Sequence, residues 1–193
     1  MGHREDLLAG AKRCLLEKGY ARTTARDIVA ASGTNLASIG YHYGSKNALM
    51  AEALFAATSD WGDDAEQALA AVLPDGAGRR QHFETGWTVI IDLFQKHRAL
   101  WSAQMEAVLL ADRDSALREF FATSWPESST GLIALLNGVP AEEVTEEQRR
   151  VFGSLYMTLL GGLLLQQQLE HYPVPDGRDL AQAMAWISGA DTP

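Results

Sequence analysis

The feature that most constrains this chain is the spacing of its apolar residues, which recur every three or four positions in runs cut by glycine and proline. Leu7, Leu8, Ala11, Leu15 and Leu16 form the first run, and Gly19 closes it. No extended window alternates apolar and polar residues with β-branched enrichment, so no strand is expected. Six prolines are spread thinly among abundant Ala, Leu, Glu and Gln, which favour helix. The expectation is an all-α chain. Its 193 residues suffice for one good core and a small second domain.

Charge divides the chain where periodicity does not. Residues 1–50 hold seven basic side chains against four acidic ones, whereas residues 51–193 hold nine against 21, for a net charge of −9 overall. A mildly basic head on an acidic body implies two functional parts, only the first of which could meet a polyanion. The single cysteine, Cys14, excludes an intrachain disulfide framework, fits a reducing cytoplasm and reads as a small buried hydrophobe. Met1 to Lys12 is charged and lacks the apolar core of a signal peptide. The longest apolar run, Val151 to Leu165, contains Ser154 and Thr158 and falls short of the roughly 20 residues of a membrane span. A cytoplasmic protein with no membrane partner is expected.

Along the head, Arg4 to Lys18 reads as a helix. Thr24, followed three residues later by Asp27, marks the cap of a second helix that Gly33 ends. A third, short helix covers roughly Asn35 to Tyr41, with Leu36 and Ile39 expected to face inward together with Tyr43. Three helices, the last two joined by a tight glycine-containing turn, make a helix-turn-helix arrangement. Ser45 caps a fourth helix expected to run from Lys46 to about Trp61. "LPDGAG" at 73–78 is the clearest break. Helices are then expected over Arg79 to His97, Arg98 to Asp112, Ser115 to Trp125, Glu127 to Leu136 beyond Pro126, Thr145 (in the cap "TEEQ") to about His171, and Asp179 to Ile187.

In a helix-turn-helix the second helix lies in the major groove, with its first residues near base edges and neighbouring groups on phosphates. Thr34, Asn35, Ala37 and Ser38 stand at that front. Thr24, Tyr41, His42 and Lys46 are the candidates for phosphate, and Leu36 has the chemistry to reach a thymine methyl. Residues 23–49, "TTARDIVAASGTNLASIGYHYGSKNAL", resemble the DNA-binding signature of the TetR family of bacterial transcription regulators. The matching elements are Thr23-Thr24, Asp27-Ile28, Ala31-Ser32-Gly33, Tyr41-His42-Tyr43 and Ser45 to Leu49. Tyr43 and Asn47 replace the Phe and Glu common in the family, and Gly40 stands where many members carry Tyr or Asn.

That resemblance implies a DNA-binding domain over 1–44 and a ligand-binding and dimerisation domain of about six helices over 45–193. Trp87, Phe94, Trp101, Met105, Phe121, Trp125 and Tyr156 fall on successive helices of this body. They either line a cavity for an aromatic or lipophilic effector or simply form core, with Glu106 as a buried polar anchor or a solvent-facing charge. The helix Val151 to Gln168 is apolar nearly all round. Together with the last helix at 179–187 it is expected to form half of a four-helix bundle in a homodimer, which would present two recognition helices to a palindromic operator. The five histidines are scattered, and no HExxH, GxSxG or phosphate-binding loop occurs, so neither catalysis, metal nor cofactor is expected. The expected function is a ligand-released transcriptional repressor. The alternative is a helical protein-interaction adaptor that does not bind DNA.

Overall fold

The computed structural model describes residues 2–169 and 173–190, and the expected extension of one helix to His171 lies outside them. Among these residues there are nine helices and no strand. Helices α1 (His3–Lys18), α2 (Ala25–Ser32), α3 (Leu36–Tyr43) and α4 (Lys46–Val72) are followed by α5 (Arg79–Lys96), α6 (Arg98–Leu110) and α7 (Ser115–Asn137). Helix α8 opens at Glu146–Gln148, passes through a π-helical stretch at Arg149–Gly153 and continues as Ser154–Gln168; α9 is Gly177–Ser188. A 3-10 turn, Ala141–Glu143, precedes α8.

Two helices are longer than the sequence reading. Helix α4 does not stop at Trp61, because an unbroken line of buried residues at four-residue spacing, Leu49, Ala53, Ala57, Trp61, Ala65 and Leu69, runs straight past Gly62-Asp63-Asp64. Packing along that line outweighs the roughly 1 kcal/mol that one internal glycine costs. Pro126 likewise fails to divide α7. The carbonyl its ring leaves unpaired belongs to Ala122, and both residues are exposed, so that carbonyl is not stranded in the core. Leu117 on one side and Leu132, Ile133 and Leu136 on the other are buried and hold the helix in place.

The chain forms two compact units. The first comprises the residues up to Trp61 together with His97–Ser124, and the second comprises Gly62–Lys96 with the residues from Trp125 onward. In the first, Leu7, Leu15, Ile28, Leu49, Met50 and Leu54 are fully buried, with Leu100, Trp101 and Leu117 of α6 and α7 in the same core. Gly10 lets α1 and α2 cross closely, since a Cβ there would lie 2.8 Å from that of Ser32. Arg4 pairs with Glu52 at 2.6 Å and Lys12 with Asp60, which ties α1 to α4. In the second unit the core is Trp87, Ile90 and Phe94 of α5, Leu132, Ile133 and Leu136 of α7, and Tyr156, Leu163 and Leu164 of α8.

Candidate nucleic-acid interface

The interface starts from turn chemistry. Thr24 stands extended ahead of α2, accepts the Asp27 amide on Oγ1 at 3.2 Å, and donates its hydroxyl to Asp27 Oδ2 at 2.6 Å. The Thr24 amide donates to the same oxygen at 2.8 Å, and Lys18 donates to the other. Hydrogen bonds from Lys18 and then Thr24 hold the Asp27 carboxyl well below the usual carboxylate range. Gly33 ends α2 in the left-handed region at φ 67°, where a residue with a Cβ would be strained. Asn35 then caps α3, accepting the Ser38 amide at 3.1 Å and the Ser38 hydroxyl at 3.2 Å on its Oδ1. Tyr43 closes the head by donating its hydroxyl to the Arg4 carbonyl at 2.6 Å.

This capping sets which side of α3 faces out. Ser38 (9% exposed) and Ile39 (4%) face the core, while Leu36 (52%), Ala37, Gly40 and Tyr41 (86%) are turned to solvent. The orientation therefore differs from the sequence reading at two positions. Ser38, expected among the base-facing residues, is buried, and Leu36, expected inward, is exposed. Ile39 and Ser38 lie about 100° apart around the helix axis, and placing that pair inward rotates Leu36 out.

The other candidates are dispersed around this face. Thr34 shares a hydrogen bond with Ser32 at 2.7 Å, and the Thr24 hydroxyl is held in its cap. His42 is half-buried, with the exposed Tyr41 ring edge-on to it at 4.8 Å. Lys46 donates to the Thr23 carbonyl at 3.3 Å and lies 5.9 Å from the centroid of the buried Tyr20 ring. Burial first, and the Asp114 charge second, push the Tyr20 phenol upward, so it stays neutral. Arg26 is a further cation that the motif alone does not single out. It is exposed in the first turn of α2, two residues beyond the Thr24 cap.

The eight body candidates divide between the units. Trp101, Met105, Glu106 and Phe121 belong to the first, where Trp101 meets Trp61 edge-to-face at 4.8 Å and Phe121 lies against Phe120 at 4.9 Å. Glu106 is tied within the chain: its Oε2 accepts the Ala21 amide at 3.0 Å, in the turn between α1 and α2. Trp87, Phe94, Trp125 and Tyr156 belong to the second unit, and Trp125 is half exposed. There Phe83, Trp87 and Tyr156 are mutually within 5.9–6.3 Å, with Phe152 stacked on Tyr156 at 6.0 Å. Phe83 and Phe152 complete this cluster beyond the candidates named from sequence; each sits four residues before one of them, and that spacing is the signal that finds them. Tyr156 donates to Asn137 Oδ1 at 2.7 Å, and the buried Trp87 indole N–H has no partner among the described residues. No cluster of metal-ligating side chains occurs among the described residues, and no described helix is long and apolar enough to cross a membrane.

A capped helix-turn-helix with an exposed second helix defines the class: a nucleic-acid-binding head built on a helical body. Residues 7–53 match the family model of the bacterial regulatory proteins of the tetR family, so this head is a TetR-family DNA-binding domain. No curated protein sequence matches the chain. Its fold is that of solved transcriptional regulators. SCO7518 from Streptomyces coelicolor A3(2), a candidate transcriptional regulator, is 22% identical with TM-score 0.67, over 97% of this chain and 98% of its own. The multidrug binding protein EbrR in complex with imidazole is 22% identical with TM-score 0.66, over 97% and 95%. A candidate TetR-family regulator from Rhodococcus sp. is 17% identical with TM-score 0.64, over 97% and 98%.

Proposed function

We propose that this chain is a cytoplasmic transcriptional repressor that binds a palindromic operator as a homodimer and is released by a small aromatic or lipophilic molecule, with no metal or cofactor. The observation that carries the reading is the solvent-facing side of α3 within a head that matches the tetR family over residues 7–53. In the bound state Asn35 and Ala37 face bases, and Tyr41, His42, Lys46 and Thr24 lie along the phosphates, with Arg26 added to them. The body supplies the second copy's docking surface. Helices α8 and α9 leave Phe152, Leu155, Leu165, Trp186 and Ile187 exposed, and Gly161 and Gly162 have open space where a Cβ would stand. Gly153 and Ala181, on the same two helices, are buried within the chain and lie off that surface.

The effector site we assign to the aromatic cluster around Trp87 and Tyr156, whose buried indole N–H offers a donor to a ligand acceptor. EbrR in complex with proflavin, 22% identical to this chain, supports an aromatic effector class. A ligand that prefers one arrangement of the body shifts the population toward it, and α4, which supplies residues to both units, carries the shift to the head. Coupling of about 1–3 kcal/mol changes operator affinity roughly 5- to 150-fold.

A gel shift with inverted-repeat fragments from beside the protein's own gene tests the reading. Binding should be salt-sensitive and should weaken when a cluster-binding compound such as proflavin is added. No salt-sensitive binding to any such fragment favours the adaptor alternative. Leu165→Glu should convert a sedimenting dimer to monomer.

A further inference from the structure

The exposed face of α3 is short of the groups that read bases by hydrogen bonding. Residues 36–43, "LASIGYHY", contain no Arg, Lys, Gln or Glu. Asn35 is the residue type that grips adenine with both its amide atoms. Here its Oδ1 already accepts two hydrogen bonds from Ser38, so the bidentate grip is unavailable without uncapping the helix. Ser38 is turned into the core, and the Thr34 hydroxyl is committed to Ser32. His42 is half-buried and is assigned above to phosphate. Besides Tyr41, exposed at the far end of the face and assigned above to phosphate, what the face offers is the half-exposed Leu36 side chain, the Ala37 methyl and the bare backbone of Gly40, where a Cβ would find no atom within 4 Å.

We infer that this protein reads its DNA chiefly through thymine methyl groups, which project from T·A pairs into the major groove, with Leu36 and Ala37 as the specificity-determining residues and Gly40 as the gap that lets the helix seat closely. The inference rests on the DNA-binding reading above. A face of this composition gains little from G·C pairs, whose major-groove edges present only donors and acceptors. It gains from T·A pairs because each thymine methyl removed from water against Leu36 or Ala37 is apolar burial. Specific sites should therefore carry thymines at the positions under the front of α3, and discrimination should follow the methyl rather than the Watson–Crick identity of the pair.

The test uses the full-length protein and duplexes it selects from a random-sequence pool. Thymidine is replaced by deoxyuridine, one position at a time, which deletes only the methyl. Binding should weaken roughly fourfold at each contacted thymine, the equivalent of about 0.8 kcal/mol per group. Where a contacted T·A pair is changed to C·G, 5-methylcytosine should recover affinity over unmodified cytosine. Leu36→Ala should abolish the deoxyuridine effect at one position while leaving it at others, a pattern that a general folding defect does not produce. Tight, sequence-selective binding that is indifferent to deoxyuridine at every position overturns the inference and leaves the DNA-binding reading standing. Enrichment of G·C-rich sites with loss of selectivity on Asn35→Ala also overturns it. Failure to bind any duplex overturns both.

Discussion

Gly40 is the residue at which the needs of the folded chain and of its partner should part company. It lies inside α3, it is exposed, and a Cβ placed on it would meet nothing within 4 Å. Nothing within the chain therefore requires a glycine there, while glycine in a helix interior is less favourable than alanine by about 0.5–1 kcal/mol. Gly40→Ala should stabilise the free protein by that amount, a rise of about 1–4 °C in melting temperature for a chain of this length. On DNA the sign reverses. The added carbon projects about 1.5 Å from the backbone at the centre of the exposed face. If duplex atoms lie in van der Waals contact with that backbone, the helix must back away by a comparable distance, and every contact on its face lengthens. A loss of at least tenfold in affinity, about 1.4 kcal/mol, is expected. Thermal melts without DNA and fluorescence-anisotropy titrations with a selected duplex measure the two quantities on the same preparations. A lowered melting temperature would mean that Gly40 serves packing within the chain. Unchanged affinity would mean that no partner comes close to it.

Substitutions at three further positions probe the contacts that hold each unit together. Because Asp27 is held below its ordinary range by Lys18 and Thr24, the stability it contributes is present above the unfolded carboxylate's pKa of about 3.9 and is lost as the pH falls through its depressed folded value. Melting curves of wild type and Asp27→Asn should therefore differ at neutral pH and converge below about pH 4; a gap that ignores pH would refute the assignment. Glu106→Ala removes the acceptor of the Ala21 amide and should cost about 1 kcal/mol in urea unfolding. Glu106→Gln keeps an acceptor and should cost less, and hydrogen exchange at Ala21 should rank the three proteins in the same order. A Cβ at Gly177 would fall 1.9 Å from the Glu84 carbonyl oxygen and 2.6 Å from Thr88 Oγ1, so Gly177→Ala must push α9 off α5. A cost of about 3 kcal/mol, the upper end for overpacking, is expected in the same urea assay.

The parts of this fold that the sequence displays best are those written in local chemistry. The caps at Thr24, Ser45 and Thr145 and the stops at Gly19 and Gly33 depend on residues within a turn of one another, and each is formed. What local chemistry conceals is whatever distant packing decides. Gly62-Asp63-Asp64 has the composition of a break, yet Ala65 and Leu69 continue the buried line of α4. Pro126 has the strongest breaking tendency of any residue, yet it sits where the unpaired carbonyl is not stranded in the core. Glu106, on an otherwise apolar helix, has no partner nearby in sequence; its partner, the Ala21 amide, stands 85 residues away.

The misread phase of α3 has a more specific cause, and it bears on function. With eight residues the helix makes barely two turns, and Leu36 and Ile39, about 60° apart on a helical projection, fit one apolar face as well as any pair. Hydrophobicity alone turns both inward. Burying Ser38 instead ordinarily strands a hydroxyl, at about 1–3 kcal/mol. Here the Asn35 cap accepts both the Ser38 amide and its hydroxyl, which removes that cost and allows Ser38 to share the inward face with Ile39. The cap thus does two things at once. It starts the helix, and it releases Leu36 to the surface, where a large apolar side chain brings the chain no packing of its own. A Leu36→Ser variant should consequently leave the unfolding free energy within about 0.5 kcal/mol of wild type, as for other exposed positions, while weakening DNA binding. A large loss of stability would show that Leu36 supports the head from within, and the outward face would have to be redrawn around Ala37, Gly40 and Tyr41.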